Sequence, residues 1–314
     1  MPAGVRTAGV EHVESARFAA VGGIVTDGAS IDVVVRRLIG GPVIRTTPLA
    51  GGCIHDVRRL EFEDGSSCVA KVASGTDDPM LLAESVGLAS LASVGLVRVP
   101  EVLGLESESG ATVLLLEWLE TGSSSDASWR SFGESLARLH AHVGEDRFGF
   151  DSDNFIGRTP QRNRWCDDWV EFNATHRLQP QIVQARDAGL LTEGDRIRLD
   201  GVVDRLDRFI PRHPHPSMLH GDLWSGNVVP MVDGGVAMID PACHWGDAWS
   251  DVAMMMLFGG FSADCFEAWE ACQTDREQSR ERIAITQLYH LLNHLNLFGA
   301  SYHGQAMAIA DRLG

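Results

Sequence analysis

Short apolar runs separated by turn residues occupy the chain from residue 43 to residue 116. This pattern is typical of antiparallel strands joined by hairpins. The predicted strands cover residues 43–49, 56–63, 67–72, 97–105 and 111–116. From Asp126 onwards, apolar side chains recur every three or four residues, which predicts helices. We therefore expect a sheet followed by a mainly helical region.

One helix is predicted between the third and fourth strands, over residues 80–93, and it carries a carboxylate on its apolar face. Glu84 shares that face with Leu81 and Leu88, at spacings of three and four residues. A buried carboxylate needs a partner. The expected partner is Lys71 in the third strand. The alternative is that Glu84 lies at the edge of the apolar stripe and reaches water.

Lysine is nearly absent from this chain. Lysine and arginine together number 26, and Lys71 is the single lysine among them. The two side chains are not interchangeable where a compact ammonium must fit against phosphates. A lysine that persists against such a bias is therefore a candidate phosphate ligand.

Residues 220–227 read His-Gly-Asp-Leu-Trp-Ser-Gly-Asn, and place an acid, Asp222, five residues before an amide, Asn227. Apolar runs on both sides of the turn at 233–235 predict a β-hairpin after this segment. The hairpin would bring Asn227 beside Asp240, and an amide oxygen next to a carboxylate suits Mg²⁺. Asp222 would then face a hydroxyl that approaches a phosphate, as in kinases. The alternative is a capping acid and a turn amide.

Composition narrows the choice of protein class. With 314 residues, 44% of them hydrophobic and 22% charged, the chain has the composition of a globular protein and is long enough for two lobes. The net charge of −17 argues against nucleic acid or an anionic membrane as the main partner. The six cysteines form no CxxC pair, so we expect reduced thiols and a cytoplasmic protein. No apolar stretch reaches the roughly 18 residues that a membrane-spanning helix needs.

The segment at 220–227 closely resembles the catalytic loop of the fructosamine-3-kinase (ketosamine-3-kinase) family. Aminoglycoside and choline kinases share its His-Gly-Asp and Asn core, but the Leu-Trp-Ser-Gly filling is particular to the fructosamine kinases. The similarity extends from about residue 31 to residue 303. Other matching stretches are 48–54, 117–119, 159–161 with Trp165, Asp168, Trp169 and Phe172, then 239–242, 245–247 and 288–299.

The resemblance implies a two-lobed, protein-kinase-like α+β fold that uses ATP and Mg²⁺. Residues 31–117 would form an N-lobe with an antiparallel sheet and a helix. Residues 118–122 would be the hinge, and residues 123–314 a mainly helical C-lobe. Residues 1–30 fall outside the resemblance and are expected to form an N-terminal extension, either flexible or helical.

The family also implies roles for individual residues. Lys71 would contact the α- and β-phosphates and pair with Glu84. Asp222 would be the catalytic base, and Asn227 and Asp240 would be the Mg²⁺ ligands. Further nucleotide contacts would come from the phosphate loop at Gly51, Gly52 and Cys53, and from the hinge backbone at Glu117 and Leu119.

Substrate contacts are expected from two places. Trp224, two residues beyond Asp222, offers an aromatic face to a sugar. His290, Asn293 and His294 share one face of the last long predicted helix. These three residues either read sugar hydroxyls or pack as core residues, and we favour the first interpretation.

The reaction implied is phosphoryl transfer from ATP to a sugar hydroxyl of a ketosamine, an amine that carries a rearranged sugar and is either free or protein-bound. The adduct would then fall apart and free the amine, which makes the reaction a repair of glycation. The chain is expected to act as a monomer. Two alternatives stay open: a kinase of the same fold that acts on an aminoglycoside or another small alcohol, and a nucleotide-binding pseudokinase. The intact set of kinase residues argues against the pseudokinase.

Overall fold

An antiparallel sheet of five strands forms the first part of the computed structural model, which describes residues 28–49, 54–108 and 110–314. The elements are α1 (Gly28–Leu38), β1 (Val43–Pro48), β2 (Asp56–Phe62), β3 (Ser67–Ser74), α2 (Pro79–Val94), β4 (Val102–Glu108) and β5 (Ala111–Glu117). The strands lie in the order β1-β2-β3-β5-β4. The predicted sheet is confirmed.

The start of β4 was predicted wrongly. The strand begins at Val102, whereas the apolar pattern placed its start at residue 97. Part of the segment before Val102 bonds to the helical region instead. Arg98 forms an isolated bridge with Ala237, and the Met238 N–H donates to the Arg98 carbonyl at 2.8 Å. Part of the backbone of this segment therefore forms its hydrogen bonds with β10 and not with the five-stranded sheet.

Both faces of β5 are covered, because successive side chains of a strand point to opposite sides. Val113 and Leu115 are buried in one apolar cluster with Val34 of α1. Leu114 and Leu116 are buried in a second cluster, which also holds the apolar side chains of α2 and continues into the helical region. Helix α2 therefore lies between the sheet and the rest of the protein.

The ends of α2 are fixed by Asp78 and Gly95. Asp78 Oδ1 accepts hydrogen bonds from the Met80 and Leu81 N–H groups, at 3.0 and 2.9 Å. Gly95 closes the helix in a left-handed conformation with φ of 68°. Fixed ends set the rotation of the helix, and with it the direction in which Glu84 points.

The rest of the chain is mainly helical. Its helices are α3 (Asp126–His140), α4 (Trp169–Phe172), α5 (Gln179–Asp187), α6 (Glu193–Val203), α7 (Trp249–Phe258), α8 (Ala263–Ala271), α9 (Ser279–Phe298) and α10 (His303–Leu313). Its strands are β6 (Asn154–Ile156), β7 (Thr159–Gln161), β8 (Pro216–Leu219), β9 (Val228–Pro230), β10 (Val236–Met238) and β11 (His244–Asp247). These strands pair as β6 with β7, β8 with β11, and β9 with β10. Within the described ranges, no helix is both long and apolar enough to cross a membrane.

Helix α9 forms part of the core of the helical region. Its Leu288, Leu292 and Leu295 are buried in one cluster with Ile182 of α5 and Met307 of α10. The polar residues Tyr289, His290 and Asn293 are buried on the same helix.

The segment that leaves the sheet is hydrogen-bonded to the β9–β10 hairpin. The Gly122 N–H donates to the Pro230 carbonyl at 2.8 Å, and the Val232 N–H donates to the Glu120 carbonyl at 3.1 Å. A Cβ on residue 122 would lie 2.7 Å from the Met231 carbonyl oxygen, so only glycine fits there. The division into residues 31–117, 118–122 and 123–314 stays a prediction.

Candidate active site

Lys71 connects the sheet with α2 and with the helical region. It stands on β3, opposite Leu114 of β5, and is 9% exposed. Its Nζ atom is 2.7 Å from Oε1 of Glu84 on α2. The same ammonium also contacts the carboxylate of Asp240, which follows the β9–β10 hairpin. One cation therefore joins an element of the sheet, the helix α2 and the helical region.

The charges of this triad are strongly coupled. Burial alone would lower the pKa of Lys71, but the carboxylates of Asp240 and Glu84 raise it on balance, so the ammonium stays charged. Burial raises the pKa of Glu84 to about 7, and the Asp240 carboxylate adds to this effect while Lys71 opposes it. Two carboxylates thus compete for one ammonium, and a divalent cation beside Asp240 would relieve their repulsion.

Asp222 and Asn227 are folded into one closed turn. Asn227 donates through Nδ2 to the Asp222 carbonyl at 2.9 Å and to Asp222 Oδ2 at 3.1 Å. The Asn227 N–H also donates to the Trp224 carbonyl at 2.9 Å. Because the amide nitrogen is engaged with Asp222, the Oδ1 atom of Asn227 is the one turned towards other partners.

The predicted hairpin is present and brings the two proposed metal ligands to the same place. Met238 pairs with Val228 across the two strands. The Ile239 N–H then donates to the Asn227 carbonyl at 3.0 Å and closes the hairpin immediately before Asp240. Asp240 itself adopts a φ of 55°, a left-handed conformation that is uncommon for residues with a side chain.

Asp222 has the electrostatics of a base rather than of a permanently charged acid. Burial raises its pKa to about 7, the charge of Asp240 adds to the rise, and the hydrogen bond from Asn227 opposes it. The residue as a whole is half-buried. A carboxyl group that changes protonation near neutral pH, and that an incoming hydroxyl can reach, is suited to accept a proton.

The donor set at this site suits Mg²⁺ bound together with phosphates. In the described part of the chain there is no group of three or more His, Cys, Asp or Glu side chains that could hold a metal by themselves. Asn227 and Asp240 offer an amide oxygen and a carboxylate. Mg²⁺ prefers oxygen ligands and commonly takes one or two carboxylates together with substrate phosphates.

The expected substrate residues separate into an exposed group and a buried group. Trp224 is 39% exposed, and its ring lies 6.2 Å from that of Phe258, which in turn lies 4.9 Å from the His294 ring. His290 and Asn293 are buried. Of the four expected substrate residues, Trp224 and His294 therefore belong, with Phe258, to one partly exposed aromatic group beside segment 220–227.

The two buried residues keep unsatisfied polar atoms. Asn293 donates to the Ile156 carbonyl at 3.3 Å, while its Oδ1 atom and the Nδ1 atom of His290 have no partner among the described residues. Burial, and then the proximity of His294, lower the pKa of His290 to about 3, so its imidazole is neutral. Both interpretations of these residues, core packing and sugar recognition, agree with this geometry.

At the proposed hinge, the side chain and the backbone N–H of Glu117 are bonded to other residues of the protein. The carboxylate contacts Arg98 and accepts the Glu101 N–H at 3.1 Å, and the Glu117 N–H donates to the Glu101 carbonyl at 2.9 Å. The N–H of Glu117 is therefore not available to an adenine. Leu119 is buried in the following segment.

The predicted phosphate loop cannot be placed. Gly51, Gly52 and Cys53 lie outside the described residues, as do residues 1–27 of the predicted extension. The two strands that flank the loop are paired, with Pro48 opposite Arg58 and the Leu49 N–H donating to the Val57 carbonyl at 2.8 Å.

Comparison with known proteins shows the family of this chain. The family model for fructosamine kinase matches residues 33–313. The chain belongs to the fructosamine kinase family. It is a kinase, an enzyme that transfers a phosphoryl group.

This member of the fructosamine kinase family has curated relatives and solved structures that cover most of its length. It is 37% identical to a probable ketoamine kinase of Synechocystis over 282 residues, which are 90% of each chain. It is 33% identical to the chloroplastic protein-ribulosamine 3-kinase of Oryza sativa, over 84% of this chain and 77% of the relative. The crystal structure of a fructosamine-3-kinase-like protein from Thermobifida fusca has a TM-score of 0.82 at 32% identity and covers 90% of this chain and 98% of the other.

The sequence pattern missed the residues of this kinase that hold the backbone at the start of segment 220–227. The Asp251 carboxylate, on α7, accepts the N–H groups of His220 and Gly221, both at 2.8 Å. It also lies 3.1 Å from His140 Nε2, and the Trp269 indole donates to His140 Nδ1 at 2.9 Å. Because Nδ1 accepts a hydrogen bond, the imidazole proton lies on Nε2 and points at Asp251. The available sequence signal was an acid within the apolar helix α7.

Proposed function

We propose that this kinase transfers the γ-phosphoryl group of ATP to a sugar hydroxyl of a ketosamine, with Asp222 as the base. The observation that carries the proposal is the position of Asp222. It lies within hydrogen-bonding distance of Asn227 and close enough to the Lys71–Asp240 pair for Asp240 to raise its pKa. Relatives described as a ketoamine kinase and a ribulosamine 3-kinase support this class of substrate.

In the proposed mechanism the nucleotide is held from the sheet side. Lys71 binds the phosphates as a compact cation, and Glu84 keeps its ammonium in place. Asn227 Oδ1 and the Asp240 carboxylate would hold Mg²⁺, which neutralises charge on the phosphates when bound. The hinge at 118–122 would present its backbone to the adenine.

The acceptor is held from the helical side. Its hydroxyl approaches Asp222, which takes the proton as the acceptor oxygen bonds to the γ-phosphorus. The bond from that phosphorus to the bridging oxygen breaks at the same time, and ADP leaves. Trp224 offers its face to the C–H side of the sugar. The substrate amine is cationic near neutral pH, which suits a protein with a net charge of −17. A phosphate on the sugar is a leaving group, so elimination of inorganic phosphate from the product, followed by hydrolysis of the remaining imine by water, would release the amine.

The proposed function is tested by incubating the purified protein with Mg²⁺, ATP and a panel of acceptors, and measuring the mass of each acceptor. The ribulosamine or fructosamine of lysine should gain one phosphate, and kanamycin-type aminoglycosides should react poorly. The Asp222→Asn variant is the control for contaminating kinases. Strong phosphorylation of an aminoglycoside without any on a ketosamine would overturn the substrate assignment. Nucleotide binding with no acceptor phosphorylated would favour a pseudokinase.

We expect Trp224→Ala to raise the KM for the ketosamine by about tenfold, because one stacked aromatic face is lost. The KM for ATP should change little, because the ring lies on the acceptor side of Asp222. Steady-state kinetics with each substrate varied in turn would measure both constants. Ile197→Ala removes an exposed apolar side chain of α6, a helix that carries none of the proposed site residues, and serves as the control. Equal effects of Trp224→Ala on both KM values would contradict the assignment.

We also propose that the kinase acts as a cytoplasmic monomer, without nucleic acid or membrane as a partner. The support for this is the net charge of −17 and the absence of a regular cysteine pattern. Size-exclusion chromatography with light scattering would test the monomer directly.

A further inference from the structure

Three buried side chains form a directional chain of hydrogen bonds that the proposed mechanism does not use. The Tyr289 hydroxyl donates to Gln161 Oε1 at 2.8 Å. Gln161 then donates through Nε2 to Asn154 Oδ1 at 2.8 Å, and Asn154 donates through Nδ2 to the Cys243 carbonyl at 2.7 Å. All three residues are at most 5% exposed. We call Tyr289, Gln161 and Asn154 the amide chain.

The amide chain ends on the segment that follows Asp240. The Cys243 carbonyl is three residues beyond this carboxylate, and Gln161 Nε2 also lies 3.5 Å from the Ala242 carbonyl, which is long for a hydrogen bond. The Ala242 N–H donates to the His220 carbonyl at 2.8 Å. Buried amides and carbonyls without partners are costly, so these bonds fix the path of the backbone here.

Helix α2 covers the other side of the same segment. A Cβ on Gly87 would lie 3.0 Å from Pro241 Cγ and 3.4 Å from Cys243 Sγ. Gly87 is three residues beyond Glu84, the partner of Lys71. The segment after Asp240 therefore packs against α2 on one side and is hydrogen-bonded to the amide chain on the other.

Asp240 needs this support because of its backbone conformation. A φ of 55° is sparsely populated for residues other than glycine and persists only where the surroundings hold it. The residue before it is held by His220, whose Nε2 donates to the Ile239 carbonyl at 2.8 Å. The residues after it are held by the amide chain. If that second support were lost, the backbone could relax and turn the Asp240 carboxylate away from Lys71.

We propose that Gln161 and Tyr289 are positioning residues that aim the Asp240 carboxylate at the metal site. This inference rests on the proposed function, in which Asp240 is a Mg²⁺ ligand. Tyr289 is on α9, one residue before His290, so the amide chain also connects the helix that carries the candidate substrate residues to the metal ligand. Burial raises the pKa of the Tyr289 hydroxyl to about 12, which keeps it protonated and able to donate.

The test measures metal binding rather than turnover. Mn²⁺ is titrated into the protein in the presence of the non-hydrolysable nucleotide AMP-PNP and followed by electron paramagnetic resonance. Gln161→Leu should weaken Mn²⁺ binding by about tenfold, as expected for the loss of a buried hydrogen-bond relay. Tyr289→Phe, which removes one oxygen, should weaken it in the same direction by less. Binding of AMP-PNP without metal should be unchanged in both.

Asn296→Leu is the matched control. This amide is also on α9, but it donates to the carbonyl and side-chain oxygens of Gln181, at 3.0 and 2.7 Å, away from the metal segment. It should leave Mn²⁺ binding unchanged. If Gln161→Leu does not fold, Tyr289→Phe still gives the measurement, and thermal unfolding of each variant separates loss of stability from loss of metal.

Two outcomes would overturn the inference. One is parent-like Mn²⁺ binding by folded Gln161→Leu, or by Tyr289→Phe where the first variant does not fold, because the amide chain would then only stabilise the fold. The other is an equal loss in Asn296→Leu, because the effect would then be a general loosening of α9. Failure of the parent protein to bind Mn²⁺ with AMP-PNP would instead contradict the proposed function, so the two failures are distinguishable.

Discussion

Replacing Asp222 with Asn should lower kcat by about 10²- to 10⁴-fold, the usual contribution of a general base. Asparagine keeps the shape of the side chain and can still accept the bond from Asn227, but it cannot take up a proton. The affinity for ATP should change little, because the side chain faces the acceptor rather than the nucleotide. Rapid-quench measurements with saturating ATP, together with nucleotide titration, would separate the two effects. A variant that turns over within a few-fold of the parent would show that Asp222 is not the base.

The same carboxyl group should make activity and stability respond to pH in opposite ways. The base must be ionised, so activity should fall at acidic pH, and Mg²⁺ beside Asp240 should move this fall to lower pH by offsetting the charge that raises the pKa of Asp222. An acid whose pKa is raised by folding from a model value of 3.8 costs no stability below that value. It costs progressively more as pH rises from there towards about 7. Asp222→Asn should therefore be more resistant to heat than the parent at pH 8, with the difference vanishing near pH 4. A less stable variant at pH 8 would contradict the raised pKa.

Replacing Lys71 with Arg should lower kcat/KM by at least about 100-fold, although the charge is kept. The ammonium fits between the carboxylates of Glu84 and Asp240 at a position that is 9% exposed. A planar guanidinium is wider, so it would displace one carboxylate and with it the phosphates. Steady-state kinetics with ATP varied would measure the loss, and circular dichroism would confirm the fold.

The control for this prediction is the opposite substitution, arginine to lysine, at an exposed position outside the proposed site. Arg36 is exposed on α1, and Arg36→Lys should leave kinetics unchanged. A nearly normal Lys71→Arg enzyme would mean that the single lysine is an accident of composition rather than a requirement of the site.

The parts of the site that could be predicted from sequence are those set by local spacing. Glu84 was expected to meet Lys71 because its helical position follows from the leucines around it, and the structure places their charged atoms 2.7 Å apart. Asn227 and Asp240 were expected to converge because a hairpin brings its ends together. In each case, the regular geometry of a helix or a hairpin determines which residues, at a known separation along the chain, come together.

The parts that could not be predicted depend on contacts between distant residues. Tyr289 and Gln161 are 128 positions apart, and nothing in the local pattern links them. Asp251 looks like any acid until its bonds to the His220 and Gly221 amides are known. The apolar residues before Val102 were assigned to the sheet, because periodicity shows that a segment is buried but not what it is buried against.

The β9–β10 hairpin is bonded to the sheet side of the molecule at two separate places, Arg98 and Gly122. Both places lie at the same end of the β4–β5 pair, because these two strands are antiparallel. Lys71 stands on β3 of the same sheet, whereas Asp240 follows the hairpin, so their ion pair joins the sheet to the segment after the hairpin. We expect a movement of the sheet away from the helices to lengthen this ion pair, while the Ile239–Asn227 hydrogen bond keeps Asn227 and Asp240 together at the base of the hairpin.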